Sequence, residues 1–246
     1  VEGQHRTPSV DGHDDEEAGM RIGVLGTGAV GRTLGAAIAR HGDEVAIGTR
    51  DVNTLLARSE PGQMGEPPFA QWHQDHTEVG LTTFADAAGR AELVILATAG
   101  TVAIDALSAA GNENLAGKVL IDVTNPLDFS QGFPPSLFVG NTDSLGERIQ
   151  AAFPDVRVVK TLNTVTAALM VDPAAVDGGN HTMFLCGNDP DAKTEVARLL
   201  GSWFGWRDVL DLGDIIGARA AEAYLTLWVR MMATLDTAMF NVKVVR

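Results

Sequence analysis

The chain reads as an α/β protein of Rossmann type, a doubly wound and mostly parallel sheet with a long C-terminal helix. Three observations predict this. Short runs rich in Val, Ile and Leu alternate with helical patterns along most of its length. The segment Gly26-Thr27-Gly28-Ala29-Val30-Gly31 lies where the first such run meets the first helical pattern. The last stretch, 216–240, has the pattern of one long helix.

Taken in order, Arg21–Leu25 is the first strand, and a helix over 30–40 follows. There Val30, Leu34, Ala37, Ile38 and His41 recur at helical spacing, and Gly42 ends the helix as a C′ residue. Residues 44–47 form the second strand. The stretch 52–80 is less regular, with a helix near 52–58, a loop rich in Pro and Gly (Pro61, Gly62, Gly65, Pro67, Pro68), and a short helix around Phe69–Gln74. Residues 93–97, 119–123 and 158–162 are runs rich in Val, Ile and Leu, as expected of parallel strands buried on both faces. Residues 182–186 and Val209–Asp211 are two more strands. Between them Asp189 and Pro190 make an N-cap and N1 pair for a helix reaching about Leu200. In the final helix Arg219, Glu222, Arg230 and Asp236 interrupt the apolar surface, which marks packed protein rather than a membrane span. That surface is more than one neighbour covers, so a homodimer with this helix at its interface is expected. The organisation is thus 1–19 as a disordered acidic leader or cloning remnant, 20–215 as an NADP-binding domain with extra C-terminal strands, and 216–246 as a helix contributing to the substrate pocket and the dimer interface.

Composition narrows the function classes. A formal charge of −14 opposes nucleic-acid binding, which needs clustered Lys and Arg. No apolar run is long enough to span a bilayer, and the polar first nineteen residues lack the apolar core of a secretory signal. The single Cys186 forms no intramolecular disulfide and fits a reducing, cytoplasmic setting.

In the glycine segment, Gly26 permits the tight turn, Gly28 lets a pyrophosphate approach the backbone, and Gly31 lets helix and strand pack closely. The helix N-terminus then presents unpaired N–H groups to the phosphates. About twenty residues on, Thr49 and Arg50 stand where NAD-binding chains usually carry an acid. Arg50 can pair with a 2′-phosphate and Thr49 can donate a hydroxyl hydrogen bond, which favours NADP(H). Asp51 is read as the N-cap of the following helix rather than a ribose ligand. The carboxyl ends of the later strands supply Thr98 and Ala99, where small residues let a cofactor pass close to the backbone, together with Asn125 and Pro126, and Asn163. Asn125 and Asn163 are candidates for bonding the ribose or carboxamide, or else serve as turn residues. Pro126 is placed with the substrate pocket.

No catalytic acid–base pair and no metal site is assigned. His73 and His76 read as a solvated helix face, Lys160 as a structural strand residue, and Cys186 as an inert buried thiol. The four tryptophans read as core or interface residues. Hydride transfer between two organic cofactors needs mainly two rings held face to face in a dry pocket.

Several segments together resemble the NADPH-dependent coenzyme F420 reductases, which act on a deazaflavin. They are residues 20–28, the Gly48-Thr49-Arg50-Asp51 element, Asp122-Val123-Thr124-Asn125-Pro126-Leu127, Val159-Lys160-Thr161-Leu162-Asn163-Thr164-Val165, and the terminal Phe240-Asn241-Val242-Lys243-Val244-Val245. The resemblance runs from Met20 to Arg246 and extends, in the Asn163 segment, to the cytosolic reductase domain of metal-reducing membrane proteins. It implies direct hydride exchange between NADP(H) and coenzyme F420 as co-substrate. Thr27, Ala29 and Val30 would hold the pyrophosphate, with Thr49 and Arg50 on the 2′-phosphate. Ala167 would lie near the nicotinamide, and Asn163, Val165 and Phe240 would line the deazaflavin pocket. Two other readings stand beside it: an NADPH-dependent reductase of a small imine or carbonyl, and a non-catalytic NADP(H)-sensing module.

Overall fold

Eight strands form one sheet in the computed structural model, which describes residues 19–62 and 65–246; the expected leader lies, apart from Gly19, outside the described residues. In chain order, counting two short strands (β6 and β7) that pair only with each other, the strands are β1 (Arg21–Leu25), β2 (Glu44–Thr49), β3 (Val79–Thr83), β4 (Leu93–Leu96), β5 (Val119–Asp122), β6 (Leu127–Asp128), β7 (Ser136–Leu137), β8 (Arg157–Thr161), β9 (Met183–Cys186) and β10 (Val209–Asp211). The helices are α1 (Ala29–His41), α2 (Val52–Leu56), α3 (Phe69–Gln74), α4 (Phe84–Arg90), α5 (Ala103–Ala110), α6 (Asn112–Leu115), α7 (Leu145–Ala152), α8 (Ala167–Val171), α9 (Pro190–Phe204) and α10 (Ala218–Leu235).

The sheet order is β10-β9-β8-β5-β4-β1-β2-β3. Its six strands from β3 to β8 are mutually parallel and in the doubly wound order, so the switch point lies between β1 and β4. β9 pairs antiparallel to β8, and β10 runs parallel to β9. Both faces are covered. Ile22, Val24, Ile95 and Ile121 pack with Leu34, Ile38, Val196 and Leu200 of α1 and α9. Leu25, Val94, Leu96 and Leu120 pack on the other side with Ala87, Leu107, Leu145 and Ile149 of α4, α5 and α7. Alternate residues of one strand thus enter opposite cores, which is why the runs carry no polar alternation.

The helix ends follow local chemistry. Gly42 closes α1 at φ +112°, its N–H bonded to the Ala39 carbonyl, with Arg40 and His41 in the last turn. Asp189 caps α9 by accepting from the N–H groups of Asp191 and Ala192, both at 2.9 Å. That helix runs four residues past Leu200 and stops at Gly205, φ +84°.

Two expectations are corrected. The irregular stretch 52–80 ends in a regular edge strand, since Val79–Thr83 pairs with Val45–Thr49 of β2. Only Val79 of its five residues is buried, and one glycine and two threonines hide it from an apolar-run criterion. The terminal helix does not reach Phe240. After a 3-10 turn at Ile215–Gly217, α10 ends at Leu235, and Asp236 adopts φ +52°. Beyond it the Thr237 hydroxyl accepts from the Met239 N–H at 3.0 Å, a local bond that replaces a helical one.

Candidate functional site

The register aligns the carboxyl ends of the parallel strands along one edge: Leu25 lies beside Gly48 and Leu96, Leu96 beside Asp122, and Asp122 beside Lys160. At the centre of that edge is the glycine turn. Gly26 has φ +136°, and a methyl there would sit 2.4 Å from the Ala97 carbonyl oxygen; one at Gly31 would sit 2.1 Å from the carbonyl oxygen of Gly26. Neither position admits a side chain. Gly28, the N-cap of α1, is different. Its backbone is extended and a methyl would meet nothing within 4 Å, so the missing side chain leaves open space over the helix N-terminus.

At the end of β2, Thr49 is buried and Arg50 exposed. Asp51 is committed to α2, its carboxylate accepting from the Thr54 N–H at 2.7 Å. Those bonds hold its pKa below the usual carboxylate value, although the group is exposed. Asp51 is thus engaged within its own helix, beside Thr49 and Arg50 at the end of β2.

The ends of β4 and β5 enclose a cleft of about 380 Å³. Val30, Thr98, Ala99 and Asn125 line it together, with Phe129 on its rim. Gly100 passes so close to the Asn125 carbonyl that a methyl would lie 2.1 Å from its oxygen. The Thr98 hydroxyl oxygen is buried with no protein partner, a donor and acceptor left over beside the cleft. Asn125 and Asn163 instead satisfy each other. The Asn125 amide donates to the Asn163 backbone carbonyl at 2.9 Å, and Asn163 donates to Asn125 Oδ1 at 3.0 Å and to the Ala221 carbonyl of α10 at 3.0 Å. The pair ties two strand ends to the last helix. Pro126 and Val165 are buried, and Ala167 opens α8 half-buried.

Beneath the cleft lies a charge cluster. Lys160 is wholly buried, its Nζ 3.0 Å from Asp122 Oδ2, 3.0 Å from Glu222 Oε1 and 2.6 Å from the Thr124 carbonyl oxygen. Burial pulls the ammonium pKa down, but the two carboxylates outweigh it and leave it raised. Asp122 also accepts from the Thr124 N–H and hydroxyl, at 2.9 and 2.6 Å. Glu222 accepts from the N–H groups of Leu145 and Gly146, at 2.8 and 2.9 Å, so the surplus negative charge faces the N-terminus of α7. The structural reading of Lys160 holds. Glu222, read from sequence as one of the polar residues that interrupt the helix surface, is an interior residue. No local pattern in α10 marks it, because its partners Lys160, Leu145 and Gly146 lie far away in the chain.

Phe240 leaves the helix and returns to stack on Trp228, ring centroids 5.5 Å apart. The tail beyond it is held on the same edge of the sheet. The Thr182 N–H donates to the Val242 carbonyl at 2.9 Å, the Val244 N–H donates to the Thr182 hydroxyl at 3.0 Å, and Lys243 reaches Asp208 at 2.7 Å. Cys186 is buried, and burial pushes its thiol up to about 12, well above reactive values. His76 stacks on Trp72 at 4.4 Å. No group of three or more metal-ligating side chains occurs among the described residues.

Known proteins share this arrangement. The family model described as NADP oxidoreductase, coenzyme F420-dependent, matches residues 21–126. A solved structure from Arthrobacter sp. FB24, a candidate F420-dependent NADP-reductase, is 56% identical, with TM-score 0.88 over 93% of this chain and 100% of that one. The F420-dependent NADP reductase of Methanothermobacter marburgensis is 29% identical over 220 residues, 86% of this chain and 92% of its own length. The metalloreductase STEAP3 of Rattus norvegicus is 28% identical over 207 residues, and the match covers 82% of this chain but only 36% of that protein.

Proposed function

The chain belongs to the coenzyme F420-dependent NADP oxidoreductase family and is an NADP-dependent oxidoreductase, and from that premise we propose that it passes a hydride between NADP(H) and coenzyme F420, with a free flavin as the lesser acceptor. The observation that carries the reading is the meeting of four cofactor candidates, Val30, Thr98, Ala99 and Asn125, in one cleft beside the glycine turn.

The residues present fit a dinucleotide. Gly28 leaves room over the α1 N-terminus, the Thr98 hydroxyl lacks a protein partner, and Arg50 is exposed where a 2′-phosphate is read in this fold. Gly26, Gly28 and Gly31 shape the turn, with Thr27, Ala29 and Val30 on the pyrophosphate and Thr49 and Arg50 on the 2′-phosphate. Thr98, Ala99, Asn125 and Ala167 border the nicotinamide half, while Pro126, Asn163, Val165 and Phe240 belong to the acceptor pocket. The reduced nicotinamide, when bound, supplies the hydride.

The chain's own work is positional. Val30, Ala97 and Val123 present apolar surface that excludes water from the cleft. The Asn125–Asn163 pair holds two strand ends at fixed separation, and the Lys160 cluster fixes Thr124 beneath them. No proton has to move through a side chain for hydride exchange between two rings, which agrees with a cleft that gathers amides, hydroxyls and apolar groups.

Anaerobic stopped-flow mixing of the protein and NADPH with oxidised coenzyme F420, or with FMN, tests the proposal, with NADH as the comparison. Rapid loss of nicotinamide absorbance with the deazaflavin, from NADPH and not from NADH, is the expected result. Tight NADPH binding with no transfer to either acceptor overturns it and favours an imine or carbonyl reductase or a sensing module.

A further inference from the structure

Arg32 stands one turn into α1 and is only 7% exposed, an unusual depth for an arginine. Its Nε donates to the Thr27 carbonyl at 2.8 Å, and Nη1 donates to the Pro67 carbonyl. The guanidinium lies over the Phe69 ring at 5.0 Å and over Trp72 at 5.8 Å. Burial lowers its pKa, opposed by the charge of Glu66, yet arginine remains protonated. One cation thus joins the glycine turn to the loop and helix between β2 and β3.

The peptide geometry gives this contact a consequence. The Thr27–Gly28 bond is trans, so the Thr27 carbonyl and the Gly28 N–H point in opposite directions. Pinning the carbonyl toward buried Arg32 directs the N–H away from it, at a glycine that is exposed and has open space above it. Without the pin the peptide is free to rotate, and an anion would have to order it on binding.

We infer that Arg32 is a positioning residue for the dinucleotide pyrophosphate: held by Pro67, Phe69 and Trp72, it fixes the Thr27–Gly28 peptide so that the Gly28 N–H is aimed at the phosphates before they arrive. This rests on the reading of the glycine turn as the pyrophosphate site. The group acted on is common to NADPH and NADH, so Arg32 governs affinity for both and leaves the choice between them to the end of β2. The aromatic pair from α3 thereby becomes part of the nucleotide site without touching nucleotide.

The test measures dissociation constants of NADPH and NADH by nucleotide fluorescence for the wild type, Arg32→Met, Arg32→Lys and Trp72→Leu, with melting temperatures and with kcat at saturating NADPH. Arg32→Met is expected to weaken both nucleotides by the same factor, about tenfold, since the bound phosphates must then order the Thr27–Gly28 peptide themselves. Its kcat at saturation changes by less than about twofold, because bound nucleotide orders the peptide itself. Arg32→Lys recovers part of the affinity, and Trp72→Leu gives an intermediate loss shared by both nucleotides. Unchanged affinities, or a loss confined to NADPH, overturn the inference. If Arg32→Met fails to fold, the Lys and Leu variants decide it by the same criterion. A wild type that binds neither nucleotide refutes the pyrophosphate reading instead, and the role of Arg32 with it.

Discussion

At Arg50 the side chain is exposed, and the neighbouring acid that would accept from a ribose hydroxyl is occupied as a helix cap. Arg50→Gln removes the charged partner proposed for the 2′-phosphate and leaves the glycine turn intact. NADPH affinity is expected to fall about tenfold or more while NADH affinity stays level, since a hydrogen bond between charged groups contributes about 1.5–3 kcal/mol; titration of both nucleotides checks it. The place of this residue at the end of β2 was legible because it follows from the chain distance past the motif. Arg32 was not. As a single polar residue on an amphipathic helix it reads as solvated, and only the return of Pro67, Phe69 and Trp72 around it shows that it is enclosed.

Between elements, two acidic residues show how differently a carboxylate can be used. Asp189 caps α9 and pairs with Arg157 at 2.7 Å, and these bonds hold its pKa down to about 2. Because the folded pKa lies below the unfolded value, the stability it contributes is present above about pH 4 and is lost as pH falls through about 2. Melting temperatures of wild type and Asp189→Asn should therefore differ at neutral pH and converge in strong acid. Glu222 joins α10 to α7 and neutralises Lys160. Glu222→Ala leaves a buried ammonium with one carboxylate and two helix N–H groups bare, so a loss of about 3–5 kcal/mol is expected in chemical denaturation. A loss under about 1 kcal/mol would contradict the role given to this cluster. The cap at Asp189 is written in the Asp-Pro pair, whereas the Glu222 link joins residues 76 and 77 positions apart, beyond any local pattern.

Across the whole molecule, the last helix and the segments at its two ends leave apolar side chains uncovered: Leu227 (53% exposed) and Leu235 (54%) on the helix, Ile216 before it and Met239 after it. No helix among the described residues is long and apolar enough to cross a membrane. A second copy of the chain is the expected cover, so light scattering should give twice the mass of one chain. Leu227→Glu combined with Leu235→Glu should return a monomer. A monomeric wild type at micromolar concentration would refute this. The same helix holds the Asn163 amide through Ala221, so the monomeric variant is also expected to lose activity before it loses nucleotide affinity.

The sequence by itself determined the parallel sheet, the glycine turn and the end of β2, because each is encoded within one contiguous segment: apolar runs for strands buried twice, glycines where a methyl would strike a carbonyl, a polar pair at a set distance beyond. The tertiary structure decided the reversed direction of β9, the Lys160 cluster and the enclosure of Arg32 by Pro67, Phe69 and Trp72. Each of these is a contact between segments far apart in the chain. Local periodicity reports which face of an element is buried and carries no information about what lies against it.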